Sequence, residues 1–399
     1  MDETALGWFG DIRRADLGAV LLDAVQNKQT LCIHRLAEGR NQTIQFSNFL
    51  ANRAVSTQEM LVTAGRQTNQ RATGRHALAI MDTTDVLFPT HKASKRGFGL
   101  GSDGKHLGLF LHPILGVDAA NGGIIGLVNC IVLNRTDGKV RKSHKNRTAE
   151  DKESRRWLEG AEMAGDRLTD ASMITMVCDR EGDINHFFAC RPANVHLLVR
   201  SAQPRTLATG GLLPDYCARL PEQAREMIDV PAKGNQPARK ATVALRFGPV
   251  SLKRPVNSPD KDLPETVSLR VVDVQEIDPP EGAQPVHWRL LTTHPVTTLA
   301  QARQIVIWYR MRWIIEQVFR SMKSDCLRIE DSQLKDVRCF TKLAIIGLIA
   351  AVRSMQLVMA RDGSTGQLVT DAADPADMPA LRALNASLEG RTEKTQEPA

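Results

Sequence analysis

The order of apolar runs between residues 76 and 200 constrains this chain more than any other feature. "HALAIMDTTDVLF" is an apolar run ending in polar residues, and "LGLFLHPILGV" and "GGIIGLVNCIVLN" read as a hairpin across the Gly-rich "DAANGG". "EDKESRRWLEGAEMA" reads as a helix, and "MITMVCDREGD", "INHFFACR" and "VHLLVRS" follow as strand, helix and strand. Strand, hairpin, helix, strand, helix, strand is the order of an α/β architecture with a mixed sheet. Two of these strands close on an acid, Asp82 in "AIMDTTD" and Asp179 in "MVCDRE". Strand ends in open α/β sheets are where sites are built, because the rigid sheet sets a side chain at a solvent-facing crevice. Either aspartate taken alone is better explained as a cap on the turn that follows it.

The flanking regions have different textures. Residues 1–70 carry helix-spaced apolar positions in "DLGAVLLDAVQ" and "STQEMLVTAGRQTNQ", with Ser56 as the expected N-cap of the second. Residues 206–295 are short alternating runs punctuated by proline and glycine, "ATVALRFGPVSL", "TVSLRVVDVQEI" and "VHWRLLTTH", which predicts a β-rich insertion. It divides the α/β core into residues 71–205 and 296–358. Residues 359–399 form a polar, Pro-containing tail with one short expected helix and otherwise loose order. The chain has 399 residues, 42% of them hydrophobic, enough for two or three domains with a sizeable core. Its net charge of +7 favours a polyanionic partner. An acidic start, "MDETALGWFG", does not suit a signal peptide, and the longest apolar run, "LAIIGLIAAV", is too short to span a bilayer. A cytoplasmic protein with no membrane partner is expected. The seven cysteines are scattered and never form C-x-x-C, so neither disulfides nor zinc are suggested.

The third acid lies in "YRMRWIIEQVFRSMK". On an α-helix Tyr309, Arg312, Glu316 and Lys323 fall within about 60° of one another. Trp308, Met311, Ile315, Val318, Phe319 and Met322 take the adjoining face, as a core-facing stripe would. Glu316 alone could be an exposed ion pair with Arg312. With Asp82 and Asp179 it completes three carboxylates from two strands and one helix, a hard-oxygen set suited to Mg²⁺, with Mn²⁺ as a substitute. Two such ions can activate an attacking oxygen and stabilise the leaving oxygen in phosphoryl transfer. Tyr309, Arg312 and Lys323 could then hydrogen-bond or charge-pair with DNA phosphates beside the metals.

The pattern Y-x2-R-x3-E-x6-K, filled by Tyr309, Arg312, Glu316 and Lys323, resembles the YREK signature of bacterial cut-and-paste insertion-sequence transposases with a DDE active site, the insertion-sequence-four family. "AIMDTTD" resembles that family's first-Asp strand, "VCDREGDI" its second, and "LAQARQIVIWYRMRW" the approach to its Glu helix; "DKESRRWL" and "LLVRSAQPR" are similar to other family segments. The resemblance covers about residues 8–358. It implies a ribonuclease H-like catalytic core interrupted by the β insertion and preceded by a small helical DNA-binding domain that recognises transposon ends. Asp82, Asp179 and Glu316 would be the catalytic triad and hold the metals. The partners implied are double-stranded DNA, as transposon ends and target, and a second copy of the chain in the synaptic complex. Family members similar in these motifs often continue into a longer helical tail used for dimerisation.

Further DNA contacts are expected at lower specificity. Trp288 is either core or a base-stacking residue for hairpin chemistry. Arg180, Arg200 and Arg205 follow strands and could reach phosphates, although solvated edges or helix-start pairs are the simpler readings. Lys139, Arg141, Lys142, Lys145 and Arg147 sit in one basic loop expected to touch the DNA backbone. His112 is most simply a half-buried strand histidine. The expected function is metal-dependent cleavage at insertion-sequence ends and strand transfer through a hairpin intermediate. The alternatives are a truncated, non-catalytic transposase inhibitor and a ribonuclease H-like nuclease without strand transfer.

Overall fold

The computed structural model describes residues 5–89, 94–136, 155–230, 237–256, 262–363, 365–373, 378–380 and 382–383. The chain begins with α1 (Ile12–Lys28), α2 (Ile33–Leu36), α3 (Arg40–Ala51) and α4 (Thr57–Arg71). The core follows as β1 (His76–Met81), β2 (Thr84–Phe88), β3 (Gly99–Leu100), β4 (Leu107–Asp118), β5 (Ile124–Leu133), α5 (Arg155–Arg167), β6 (Met173–Cys178), α6 (Asn185–Cys190) and β7 (Val195–Arg200). The region expected as an insertion supplies α7 (Leu213–Arg219), β8 (Ala224–Val230), β9 (Arg239–Lys253), β10 (Thr266–Glu276) and β11 (His287–Thr292). Last come α8 (Leu299–Met311), α9 (Trp313–Arg320), α10 (Val337–Asp362) and α11 (Val369–Ala372).

The eleven described strands make one mixed sheet in the order β2-β4-β1-β6-β7-β11-β10-β9-β8, with β3 and β5 also against β4. β1, β6 and β7 are mutually parallel, and β4 returns antiparallel between β1 and β5. Gly122, at φ 76°, supplies the left-handed turn in the β4–β5 hairpin. The subset β5-β4-β1-β6-β7 is the mixed sheet expected from the sequence and fits a ribonuclease H-like core. Its parallel strands read as continuous apolar runs because both faces are covered. Leu78 and Ile80 point into a core shared with α8 and α10, while Ala77, Ala79 and Met81 point to the opposite face, against Trp157 and Ala161 of α5.

Two regions that differ in sequence texture are physically continuous with this core. β11 pairs antiparallel with β7, Leu290 opposite Arg200, so the region expected as an insertion extends the core sheet sideways. The N-terminal helices share a single core with α10 and β1: Leu21, Phe46 and Phe49 belong to the same cluster as Phe340, Leu343 and Ile80. α4 begins where expected, with the Ser56 hydroxyl accepting from Glu59 N–H at 3.1 Å. α10 is long and apolar enough to cross a membrane by length and composition, yet 67% of its most apolar window is buried inside the protein, as a core helix requires.

Candidate active site

β1 and β6 pair in parallel up to Met81 opposite Cys178, so the next residues, Asp82 and Asp179, leave adjacent strands side by side. Asp82 is held by the following turn: its Oδ1 accepts from Thr83 N–H at 2.8 Å. Asp179 caps the short helical turn Arg180–Gly182, accepting from Glu181 N–H at 2.8 Å. The capping role and the site role are therefore compatible: the cap aims the carboxylate.

Glu316 reaches these acids from a helix that does not run straight. Tyr309 to Lys323 was expected as one α-helix; instead α8 ends at Met311, the chain turns at Arg312, α9 follows, and residues Ser321–Asp325 form a π turn. At the break, Arg312 N–H bonds Tyr309 C=O at 3.1 Å and Ile315 N–H bonds Arg312 C=O at 3.2 Å, both tighter i→i−3 contacts. From this kink the Arg312 guanidinium bridges two acids, giving one N–H to Asp82 Oδ2 at 2.6 Å and another to Glu316 Oε1 at 2.7 Å. Lys323 lies further along, between Asp85 at 3.2 Å and Glu330 at 3.5 Å.

The electrostatics are those of crowded carboxylates with one central cation. Burial pushes the Asp82 pKa up to about 6, against the pull of Arg312, with Asp179 and Glu316 adding repulsion. Arg312 is pushed above its ordinary value despite burial, because Asp82, Tyr309 and Glu316 all favour its charge. Asp85 goes the other way: burial would raise it, but the Ser102 hydroxyl and Lys323 outweigh that and hold it low.

Beside the acids lies an open cleft of about 980 Å³ lined by Arg200, Trp288, Tyr309, Arg312, Trp313 and Glu316, with Lys240 and Arg310 at its edge. The buried Tyr309 ring packs at 59° and 5.7 Å against the half-buried Trp288, and the nearby Arg200 guanidinium partly offsets the upward push of burial on its hydroxyl. Trp288 thus contacts the core and faces the cleft at once, which keeps both readings of it open. Trp313 is 41% exposed.

The other candidates distribute as follows. Arg180 is exposed on the turn after Asp179. Arg200 donates to His287 C=O at 2.8 Å while reaching the cleft. Arg205 is turned inward, clamped on the buried Asp183 at 2.7 Å. The loop holding Lys139, Arg141, Lys142, Lys145 and Arg147 lies outside the described residues. His112 is fully rather than half buried, and burial pushes its pKa down to about 3. Sequence reasoning passed over Asp85, although it stands three residues after Asp82, and Trp313, whose signal is a large aromatic between the arginine and the glutamate of the motif.

A family model described as "Transposase DDE domain" matches residues 73–353. The chain belongs to the transposase DDE domain family. DDE transposase domains typically use divalent metal ions, and this donor set fits one. Asp82, Asp179 and Glu316 offer only hard oxygens, and at Asp82 burial raises the pKa with added repulsion from Asp179 and Glu316, a repulsion that a cation would relieve. Among the described residues no three acidic, histidine or cysteine side chains are already gathered tightly enough to hold an ion, and Arg312 occupies the space between Asp82 and Glu316.

Proposed function

We propose that this protein is a cut-and-paste transposase of the insertion-sequence-four type, cleaving at the ends of its element and joining them to target DNA through a hairpin intermediate. The observation that carries this reading is the convergence of Asp82, Asp179 and Glu316, from two parallel strand ends and a kinked helix, beside a cleft whose lining includes Glu316, arginines and aromatic rings. Asp82, Asp179 and Glu316 would hold two Mg²⁺ ions, or Mn²⁺ in their place, which when bound supply an activated oxygen nucleophile and stabilise the leaving oxygen. Arg312 neutralises the acids in the metal-free protein and is within reach of a scissile phosphate once they are otherwise balanced. Arg200 and Tyr309 form a second donor pair along the cleft wall. Trp288 offers a face on which a base extruded from the duplex can stack. The acting form is a homodimer on paired ends, and the N-terminal helices read the end sequence.

The test is a strand-transfer reaction with duplexes carrying the inverted repeats that flank the gene, a supercoiled target and Mg²⁺. Nicking, hairpin formation and joining are the expected sequence of products. Hydrolysis without joining would make the protein a nuclease, and end binding without any cleavage would make it an inhibitor. End recognition is better tested by charge reversal of exposed Arg40 and Arg53 than by deleting residues 1–70, because that deletion would also strip Phe46 and Phe49 from the shared core.

A further inference from the structure

Asp82 and Thr83 occupy a break in an otherwise continuous strand. β1 pairs with β4 as far as Met81 opposite Ile114, and β2 resumes at Thr84 opposite Leu111 in the same antiparallel register. Carried across the gap, that register sets Asp82 opposite Pro113 and Thr83 opposite His112. Proline has no N–H to give a facing strand, so the ladder cannot close there. The residue that carries the first carboxylate of the site therefore sits where the sheet grips least.

His112 meets that gap. It is 0% exposed, and its Nδ1 lies 2.6 Å from Thr83 Oγ1. Thr83 N–H in turn donates to Asp82 Oδ1 at 2.8 Å. Thr83 is thus held at its hydroxyl by the imidazole and orients the carboxylate from its N–H. Trp157 fixes the ring in turn, packed edge to face at 4.7 Å and 89°. Nε2 has no hydrogen-bond partner among the described residues. A buried ring with an orphan nitrogen is a poor choice for stability, since an apolar residue of similar size would fill the space without that cost.

We propose that His112 is a positioning residue for Asp82, its imidazole anchoring Thr83 where the strand pairing lapses and thereby setting the carboxylate that receives metal and faces DNA. The inference rests on the reading of Asp82 as a metal-holding acid of the transposase. The experiment uses the full chain and compares wild type, His112→Leu, His112→Asn and Thr83→Val. Mn²⁺ uptake is followed by electron paramagnetic resonance without DNA, alongside melting temperature and the Mn²⁺ dependence of end cleavage.

His112→Leu is expected to raise the Mn²⁺ concentration for half-saturation about tenfold or more, the scale of lost support behind a metal ligand, without lowering the melting temperature to match. His112→Asn, whose amide nitrogen falls near the Nδ1 position, is expected to restore most of that loss. Thr83→Val removes the same contact from its other side and should shift uptake to a similar extent as His112→Leu. Wild-type uptake with an unchanged midpoint in both His112→Leu and Thr83→Val overturns the positioning role alone. So does an Asn variant as weak as Leu. A wild-type protein that takes up no Mn²⁺ overturns the reading of the site itself, and the positioning role with it.

Discussion

At the C-terminal ends of β1 and β6 stand Asp82 and Asp179; near the other ends of β1, β6 and β7 stand His76, Thr175 and His196, joined by His294 after β11. The Thr175 hydroxyl lies 2.8 Å from His76 Nε2 and 2.7 Å from His294 Nε2, and His196 stacks on His294 at 4.1 Å. Trp308 closes this cluster, edge-on to His76 at 4.7 Å. Burial drives both ends toward neutral side chains. Among the imidazoles it pushes His294 down to about 3 and His76 to about 4, helped in both by repulsion from His196. At the acid end it pushes Asp82 up to about 6. What differs is the partner: Arg191 only adds to the pressure on His294, whereas Arg312 binds Asp82 directly and keeps charge at the site. A cation is thus welcome at one end of the strands and disfavoured at the other, which is the asymmetry a site for metal and phosphate needs.

The widest separation of the two ends should appear in cleavage. Asp82→Asn, Asp179→Asn and Glu316→Gln are each expected to drop end cleavage to background while end binding persists, whereas His294→Gln should leave cleavage within several-fold of wild type. Gel assays of binding and cleavage on the same preparations check this, and residual metal-dependent cleavage in an acid variant would remove that residue from the triad.

Next in size is the loss of the central cation. Arg312→Ala leaves Asp82 and Glu316 without their shared partner, and the expected cost in chemical denaturation is on the order of 2–3 kcal/mol, below the figure for a fully buried pair because the cleft admits solvent. Mg²⁺ should restore part of that stability in Arg312→Ala and little in wild type. An arginine-free variant as stable as wild type without metal would contradict the crowded-carboxylate account.

The pH dependence of the metal-free protein sharpens the comparison further, because the two ends have opposite signs. The folded pKa of His294 lies below its unfolded value of about 6.5, so the unfolded chain takes up the extra proton first and stability falls as pH drops below about 6.5. The folded pKa of Asp82 lies above its unfolded value, so its contribution is present at low pH and is lost as pH rises through about 6. His294→Gln should flatten acid destabilisation between pH 6.5 and 4, by roughly 1–3 kcal/mol at the lower limit, and Asp82→Asn should steepen it. Denaturation midpoints across that range decide whether the slopes move in opposite directions.

The smallest expected effect is at Trp288. If it stacks on an extruded base, Trp288→Ala spares first-strand nicking but slows hairpin formation, by a stack worth about 1–3 kcal/mol. If it acts only as core, nicking and hairpin formation fall together with the melting temperature. Measuring all three on one protein separates the two.

Much of this molecule is legible in its sequence, and the rest is not, for identifiable reasons. The runs ending in Asp82 and Asp179, the hairpin across residues 118–123, the Ser56 cap and the apolar α10 are local: each depends on period, propensity or a neighbouring backbone N–H. The kink at Arg312 is not local, since it accompanies an ion pair to Asp82, 230 positions away. Neither is the destination of Lys323, which pairs with Asp85 and Glu330, nor that of Arg205, taken up by Asp183.

The textures that divide residues 1–70 and 206–295 from the core report helix and strand content, which composition and periodicity carry. They do not report that Phe46 and Phe49 complete the core beneath α10, or that β11 continues the sheet from β7. By itself the sequence determined the main strands and helices of the core and which strand ends carry acids, because side-chain period and backbone preference act over a few residues. Only the tertiary structure decided which acids meet, which arginine is left to balance them and which histidine bonds Thr83. Those outcomes depend on the surfaces and hydrogen-bonding groups still unmatched once every element has packed.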